Sequence, residues 1–236
     1  MDYVDTSGKI SYYQFMPYRI TPLVNEEFYH VYNRGVAKLP TYFSKNDYGR
    51  FMLCLSYYRF KNVPSKLSKL LQIEKQEREK ILIDLESTEK IVEIIAFCLM
   101  PNHFHLLLKQ TANTGISTFL KKITDSYTRY FNTRHERIGP LFQGAFKTVH
   151  VETNEQLLHL SRYIHLNPLV SFVVREEKFK SYPWSSLFYY LNGNFSLINP
   201  HPVLDQFKKA EEYLRFIMDR AEYGKQLEKI KHLVLE

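Results

Sequence analysis

The sequence has little that could cross-link the chain or carry it into a membrane. Its two cysteines, Cys54 and Cys98, lie in apolar runs and lack the spacing of a disulfide framework or a zinc knuckle. We interpret both as buried, reduced thiols. A signal peptide and a long uncharged apolar stretch are also absent, so we expect a cytoplasmic protein with no membrane partner.

The chain is instead rich in aromatic residues and in cations. It contains 18 tyrosines and 17 phenylalanines, and its 32 lysines and arginines exceed its 25 acidic residues to give a net charge of +7. Cations pair with phosphates and aromatic rings stack on unpaired bases, so this composition favours a nucleic-acid partner. A basic solvated surface around a tyrosine-rich core would have the same composition.

The order of hydrophobic patterns predicts strand, helix, insertion, strand, strand, helix, strand, helix. This order is typical of an α+β fold with an antiparallel sheet and helices on one face, similar to ferredoxin-like and RRM-like folds. We divide the chain into an N-terminal arm (1–25), a main domain (26–190) and a C-terminal helical extension (191–236). Within the domain, residues 61–90 mix opposite charges with leucines at helical spacing, which indicates a solvated helical insertion.

Two histidines stand one strand step apart after a Pro-Asn turn. Side chains alternate along a strand, so His103 and His105 project to one face while Phe104 projects toward the core. Two imidazoles at a fixed separation form half of a metal site. Such pairs also commonly bond only to backbone or water, so the motif alone leaves both interpretations open.

A second set of polar residues lies on the helix that Thr153 begins. Thr153 and Gln156 form a capping-box pattern, and the helix is expected to end near Asn167, because Pro168 disfavours the helical conformation of the residue before it. Tyr163 and Asn167 are four residues apart and share one stripe. Core packing of Tyr163 and a capping role for Asn167 are the alternatives. If the stripe faces the histidines, two imidazoles and an amide oxygen could hold Mg²⁺ or Mn²⁺.

A basic segment precedes that helix. Residues 111–150 contain six cations and two acids, so their net charge of +4 is more than half of the +7 of the whole chain. A helical apolar stripe predicts that much of this segment is a helix with cations on its outer face. We therefore expect phosphate contacts from Lys121, Lys122, Arg129, Arg134, Arg137 and Lys147.

Six short motifs occur in a fixed order along the chain, namely Tyr29–Gly35, Leu99–Leu107, Tyr127–Asn132, Gly139–Lys147, Arg162–Pro168 and Tyr182–Ser186. Together they resemble the motifs of single-tyrosine HUH transposases of the IS200-like superfamily, above all those associated with repetitive extragenic palindromes. The resemblance covers about residues 26–188, and the position before Phe146, often basic in that family, is Ala145.

The resemblance implies roles for several residues in these motifs. His103 and His105 match the metal ligands, Asn167 the residue that completes metal coordination, and Tyr163 the nucleophile. Arg34 and Gln143 lie in motifs that are expected to contact DNA. The implied activity is metal-dependent cleavage and rejoining of single-stranded DNA, at hairpin-forming sites, through a 5′-phosphotyrosine. Family members occur as monomers and as dimers that exchange the tyrosine helix, so both states are open.

Three other functions compete with this interpretation. A domesticated protein could bind single-stranded DNA or RNA without cutting it. A metal-dependent hydrolase could use His103 and His105, but no acidic residue lies near that motif in the sequence. An interaction module could act through the helical segments 61–90 and 204–235.

Overall fold

The structure is a computed structural model that describes residues 22–226. Most of the predicted arm (1–25) and the end of the predicted extension, from residue 227, lie outside the described residues. Four strands form one sheet in the order β2-β3-β1-β4, and every neighbouring pair is antiparallel. The strands are β1 (Phe28–Arg34), β2 (Val92–Met100), β3 (His103–Gln110) and β4 (Lys147–Val151).

The described helices follow the predicted order. The predicted insertion contains two of them, separated by a short turn, and the C-terminal extension contributes several short ones. The helices are α1 (Lys45–Tyr58), α2 (Leu67–Leu70), α3 (Lys75–Glu86), α4 (Gly115–Arg134), α5 (Asn154–Val170), α6 (Glu176–Phe179), α7 (Leu187–Asn192), α8 (His201–Leu204) and α9 (Ala210–Met218). Residues 221–226 are also helical. None of the helices in the described part is long and apolar enough to cross a membrane.

The predicted α+β class with an antiparallel sheet is confirmed, but the expectation that helices cover one face only is wrong. Phe51 of α1 packs on Phe104, with ring centroids 5.3 Å apart, whereas Tyr163 of α5 packs on the adjacent His105. Neighbouring strand residues point to opposite faces, so α1 and α5 lie on opposite sides of the sheet. Strand β2 explains this arrangement, because it is apolar at nearly every position and is buried on both faces.

Helix α5 begins as predicted and ends later than predicted. Thr153 accepts a hydrogen bond from the backbone of Gln156, and the Gln156 side chain accepts one from the backbone of Thr153, which completes the capping box. The helix continues through Pro168 to Val170. Proline removes only one backbone donor this close to the end of a helix, and the carbonyl of Asn167 still accepts from the N–H of Ser171. Asn167 therefore lies inside a regular helix.

The C-terminal extension packs against α5. Tyr213 of α9 and His165 of α5 are fully buried, and the Tyr213 hydroxyl lies 2.7 Å from Nδ1 of His165. Nε2 of His165 lies 2.6 Å from Oγ of Ser186, which also bonds the backbone of Phe97 in β2. This polar network joins the extension, α5 and the sheet.

Candidate active site

The two histidines of β3 project from the same face of the sheet, as their spacing predicts. Their ring centroids are 4.9 Å apart. Nδ1 of His103 lies 2.7 Å from the amide oxygen of Asn102, and the Asn102 amide nitrogen donates to the carbonyl of Lys38 at 3.0 Å, which orients the amide. An amide oxygen can only accept, so Nδ1 of His103 carries a proton and donates to it, and in the neutral ring the lone pair is then on Nε2. This tautomer is the one a metal ligand of this kind needs.

A third imidazole, which the sequence analysis did not assign, belongs to the same cluster. His30 of β1 lies next to the histidine strand, and its Nε2 is 2.9 Å from Nδ1 of His105. Burial lowers the pKa of His30 to about 4. Burial, aided by the charges of His103, His30 and Arg34, lowers the pKa of His105 to about 2. Both rings are neutral at pH 7, which is the form that binds metal.

Tyr163 and Asn167 face this cluster from α5. The Tyr163 ring meets the His105 ring edge-on at 5.4 Å and the His30 ring at 6.2 Å. Tyr163 is 49% exposed, so its hydroxyl-bearing ring is open to a ligand, whereas Asn167 is buried and its Oδ1 accepts from Ser171. The tyrosine, the histidines and the asparagine together line a cleft of about 620 Å³.

Three more of the predicted site residues line the same cleft, namely Arg34, Gln143 and Lys147. The loop before β4 is bound to the end of β1, because the N–H of Gln143 donates to the carbonyl of Arg34 and the Asn33 amide donates to the carbonyl of Gly144. Lys147 pairs with Tyr32 across the β1–β4 ladder. These contacts place two cations and an amide beside the histidines, where a phosphate could be held.

The cations of the basic helix are not brought into the cleft. Helix α4 packs through Tyr127 on Phe51, on the other face of the sheet from α5. Lys121, Arg129 and Arg137 line a groove of about 690 Å³ next to the loop before β4, and this groove shares only Asn33 with the cleft that contains the histidines. Lys122, Arg129 and Arg134 line a second cavity, which shares Arg129 with the groove. The predicted DNA-binding residues thus form two groups.

Residues 53–167 match the family model described as "Transposase IS200 like". The predicted resemblance to this family is confirmed. The matched segment begins in α1 and ends at Asn167, so it contains both histidines of β3 and Tyr163, and the match supports a transposase role. No curated protein sequence matches the chain.

A solved structure supports the fold assignment. It is described as "Structure of the REP associates tyrosine transposase bound to a REP hairpin" and aligns with this chain at a TM-score of 0.50 and 12% identity, over 74% of this chain and 84% of that chain. At this identity the similarity shows that the two proteins share a fold.

Two other tyrosines of the IS200-like segment are poorly suited to act as nucleophiles. Tyr127 is fully buried and its hydroxyl donates to the carbonyl of Thr41, and burial raises its pKa far above the ordinary value. The Tyr130 hydroxyl donates to the carboxylate of Asp47, and burial raises its pKa as well. Neither residue lines the cleft that contains the histidines in the described structure.

The donor atoms of the cleft fit the divalent metal that the IS200-like family implies. His103 and His105 offer imidazole nitrogens, and Asn167 offers an amide oxygen. Among the described residues, no three His, Cys, Asp or Glu side chains form a group that could hold a metal ion, so a further ligand beside the two histidines would have to be another donor, such as the amide oxygen of Asn167. No aspartate or glutamate of the described chain lines the cleft, which leaves a simple metal-dependent hydrolase without an acidic base.

Proposed function

We propose that this protein is a transposase that cuts and rejoins single-stranded DNA through a covalent bond to Tyr163. The observation that carries the proposal is the half-exposed Tyr163 ring, edge-on to His105 in a cleft that also holds His103 and Asn167. The solved neighbour is a complex with a REP hairpin, so we further propose that the substrate is hairpin-forming DNA.

The chemistry needs a nucleophile and a way to hold the phosphate. The phenolic oxygen of Tyr163 forms a bond to phosphorus, the bond from phosphorus to the 3′ oxygen breaks, and the phenol proton is lost while the departing 3′ oxygen gains one. The products are a 5′-phosphotyrosine and a free 3′-OH. A 3′-OH from a second DNA end can reverse this step and release Tyr163, so rejoining needs no ATP.

The chain provides phosphate contacts around this reaction. Arg34 and Lys147 line the cleft and would neutralise charge on the phosphate oxygens, while Gln143 offers an amide donor. His103, His105 and Asn167 would hold Mg²⁺ or Mn²⁺, which when bound supplies Lewis-acid stabilisation of the developing charge. Because an unperturbed phenol has a pKa of about 10, the tyrosine proton must be removed with help from its surroundings.

The decisive experiment is identification of the residue that becomes linked to DNA. The protein is incubated with a hairpin-flanked single strand and Mg²⁺ or Mn²⁺, and the trapped adduct is digested and analysed by mass spectrometry. Tyr163→Phe removes only the hydroxyl and should abolish the adduct while DNA binding survives. Tyr127→Phe and Tyr130→Phe should both keep it.

Two results would contradict the proposal. An adduct on Tyr127 or Tyr130 would show that the nucleophile lies on α4 and not on α5. DNA binding without an adduct, under conditions where the metal is bound, would favour the alternative of a domesticated protein that binds nucleic acid without cutting it.

A further inference from the structure

The side chain of Arg50 is largely buried, and among the described residues its guanidinium has no hydrogen-bond partner. Arg50 lies on α1 and is 9% exposed. Its Nε is fully buried and unpaired, and no hydrogen bond or ion pair from this side chain is found among the described residues. Its contact is with the Tyr130 ring, whose centroid lies 5.3 Å from the guanidinium carbon. Buried arginines are normally paired, because an unpaired buried charge is costly.

The nearby carboxylate of Asp47 does not pair with Arg50. Asp47, one turn before Arg50 on α1, is fully buried. Its oxygens accept from the backbone N–H groups of Phe43 and Ser44 and from the Tyr130 hydroxyl. His135 lies 3.1 Å from one of the same oxygens. Asp47 therefore holds the first turn of α1 and the end of α4 together. The guanidinium of Arg50 remains available to bind another anion.

Arg50 lines a cavity of about 850 Å³ between α1, α4 and the start of the insertion. The size suits a nucleotide, since small-molecule sites commonly span about 300–1,000 Å³. Asp125 is the one acid among its described lining residues, against five cations. Serine and threonine hydroxyls, including Ser65 and Ser68 of the insertion, complete the polar lining. The cations are Arg50, Lys66, Lys122, Arg129 and Arg134.

The cavity also connects to the catalytic cleft through shared residues. Arg129 lines both the cavity and the groove beside the loop before β4, and Asn33 lines both that groove and the cleft. A single strand of DNA that leaves the cleft past Asn33 would pass the cations of α4 on its way to Arg50. Phosphate contacts along such a path are typical of proteins that bind single strands.

We propose that the Arg50 cavity binds the phosphate of an unpaired nucleotide in a bound single strand. Arg50 forms the charge-assisted hydrogen bonds to the phosphate, and the cations of α4 and of the insertion surround it. The site lies on the sheet face opposite the histidines and takes no part in bond breaking. This inference goes beyond the proposed function, because it holds whether or not Tyr163 cuts DNA.

The test measures nucleotide binding directly, in the full chain carrying Tyr163→Phe so that cleavage cannot interfere. Thymidine 5′-monophosphate should bind with 1:1 stoichiometry by calorimetry. Arg50→Met keeps most of the side-chain volume and removes the charge, so the dissociation constant should rise at least about tenfold, as expected for loss of a hydrogen bond to a charged group. A ten-nucleotide single strand should displace the mononucleotide.

A pair of surface variants covers the case in which Arg50→Met fails to fold. Ser68 is exposed at the cavity wall. Ser68→Glu should weaken nucleotide binding by charge repulsion, and Ser68→Gln, which has the same size without the charge, should not. The proposal is overturned if the mononucleotide binds as well to Ser68→Glu as to Ser68→Gln. It is also overturned if the single strand does not displace the mononucleotide, because the site would then serve a free nucleotide.

Discussion

Nε2 of His30 lies 2.9 Å from Nδ1 of His105, and the two rings stack with their centroids 5.1 Å apart. The contact joins β1 to the predicted metal strand. It occupies Nδ1 of His105, so the nitrogen left to bind a metal is Nε2. If His105 carries its proton on Nδ1 and donates to His30, then Nε2 has the lone pair that a metal ligand requires.

We predict that His30 positions His105 for metal binding. Loss of such an outer hydrogen bond typically reduces metal affinity by about 10–100-fold. His30→Ala should therefore raise the dissociation constant for Mn²⁺ by this factor in calorimetry without DNA, and His30→Gln should recover part of the loss. His159→Ala, on α5 but outside the cleft, is the matched control. Equal Mn²⁺ affinity in wild type and His30→Ala would contradict the prediction.

We predict that single-stranded DNA binding weakens steeply with salt, because both groups of cations contact phosphates. Each contact contributes a log–log slope of about −0.7 on single strands. Arg34→Gln in the cleft and Arg137→Gln in the groove should each reduce the slope by about that amount. Lys209→Gln in the C-terminal extension should leave it unchanged. An unchanged slope in Arg137→Gln would show that the groove beside α4 is not part of the DNA-binding surface.

We predict that the Tyr213 hydroxyl stabilises α5, the helix that carries Tyr163. It accepts from Nδ1 of His165 and donates to Ser161 at 3.1 Å, all in a buried network. Tyr213→Phe would leave the His165 donor unpaired, which should lower the free energy of unfolding by about 1–3 kcal/mol. Urea denaturation measures the change. Tyr223→Phe, at a 58% exposed position, should change the stability little. A Tyr213→Phe protein as stable as wild type would show that water or another group replaces the hydroxyl.

We predict that Asp47 contributes stability that acid removes. Burial alone would raise the pKa of Asp47, but hydrogen bonds from His135, Phe43 and Ser44 outweigh it and hold the pKa below its ordinary value of 3.8. The unfolded chain therefore binds more protons below about pH 4. The contribution of Asp47 to stability is fully present above that pH and is lost as the pH falls through the folded-state pKa of Asp47.

Asp47→Asn tests this linkage. At pH 7 it should cost about 0.5–2 kcal/mol, the range for a helix-cap contact. Between pH 4 and pH 2 its unfolding free energy should fall less steeply than that of wild type. Asp205→Asn, at an exposed position, should follow the wild-type curve. The same acid slope in Asp47→Asn and wild type would show that other carboxylates cause the loss.

Local sequence determined those features that depend on neighbours along the chain. Alternation along β3 was enough to place His103 and His105 on one face, and the Thr153–Gln156 pair was enough to predict the start of α5. The four-residue spacing of Tyr163 and Asn167 was enough to predict their shared side of the helix. Each inference uses only the geometry of a single element, which the backbone imposes on any sequence that forms it.

Tertiary structure alone decided which elements meet. His30 is 75 residues away from His105 along the chain, and only the β1–β3 register brings their rings together. Helix α4 lies on the face of the sheet opposite the cleft that contains the histidines, so the cations that are neighbours in segment 111–150 of the sequence do not all face that cleft. The cost of burying Arg50 without a partner exists only once α1, α4 and the insertion close around it, because burial is a property of packing and not of any single segment.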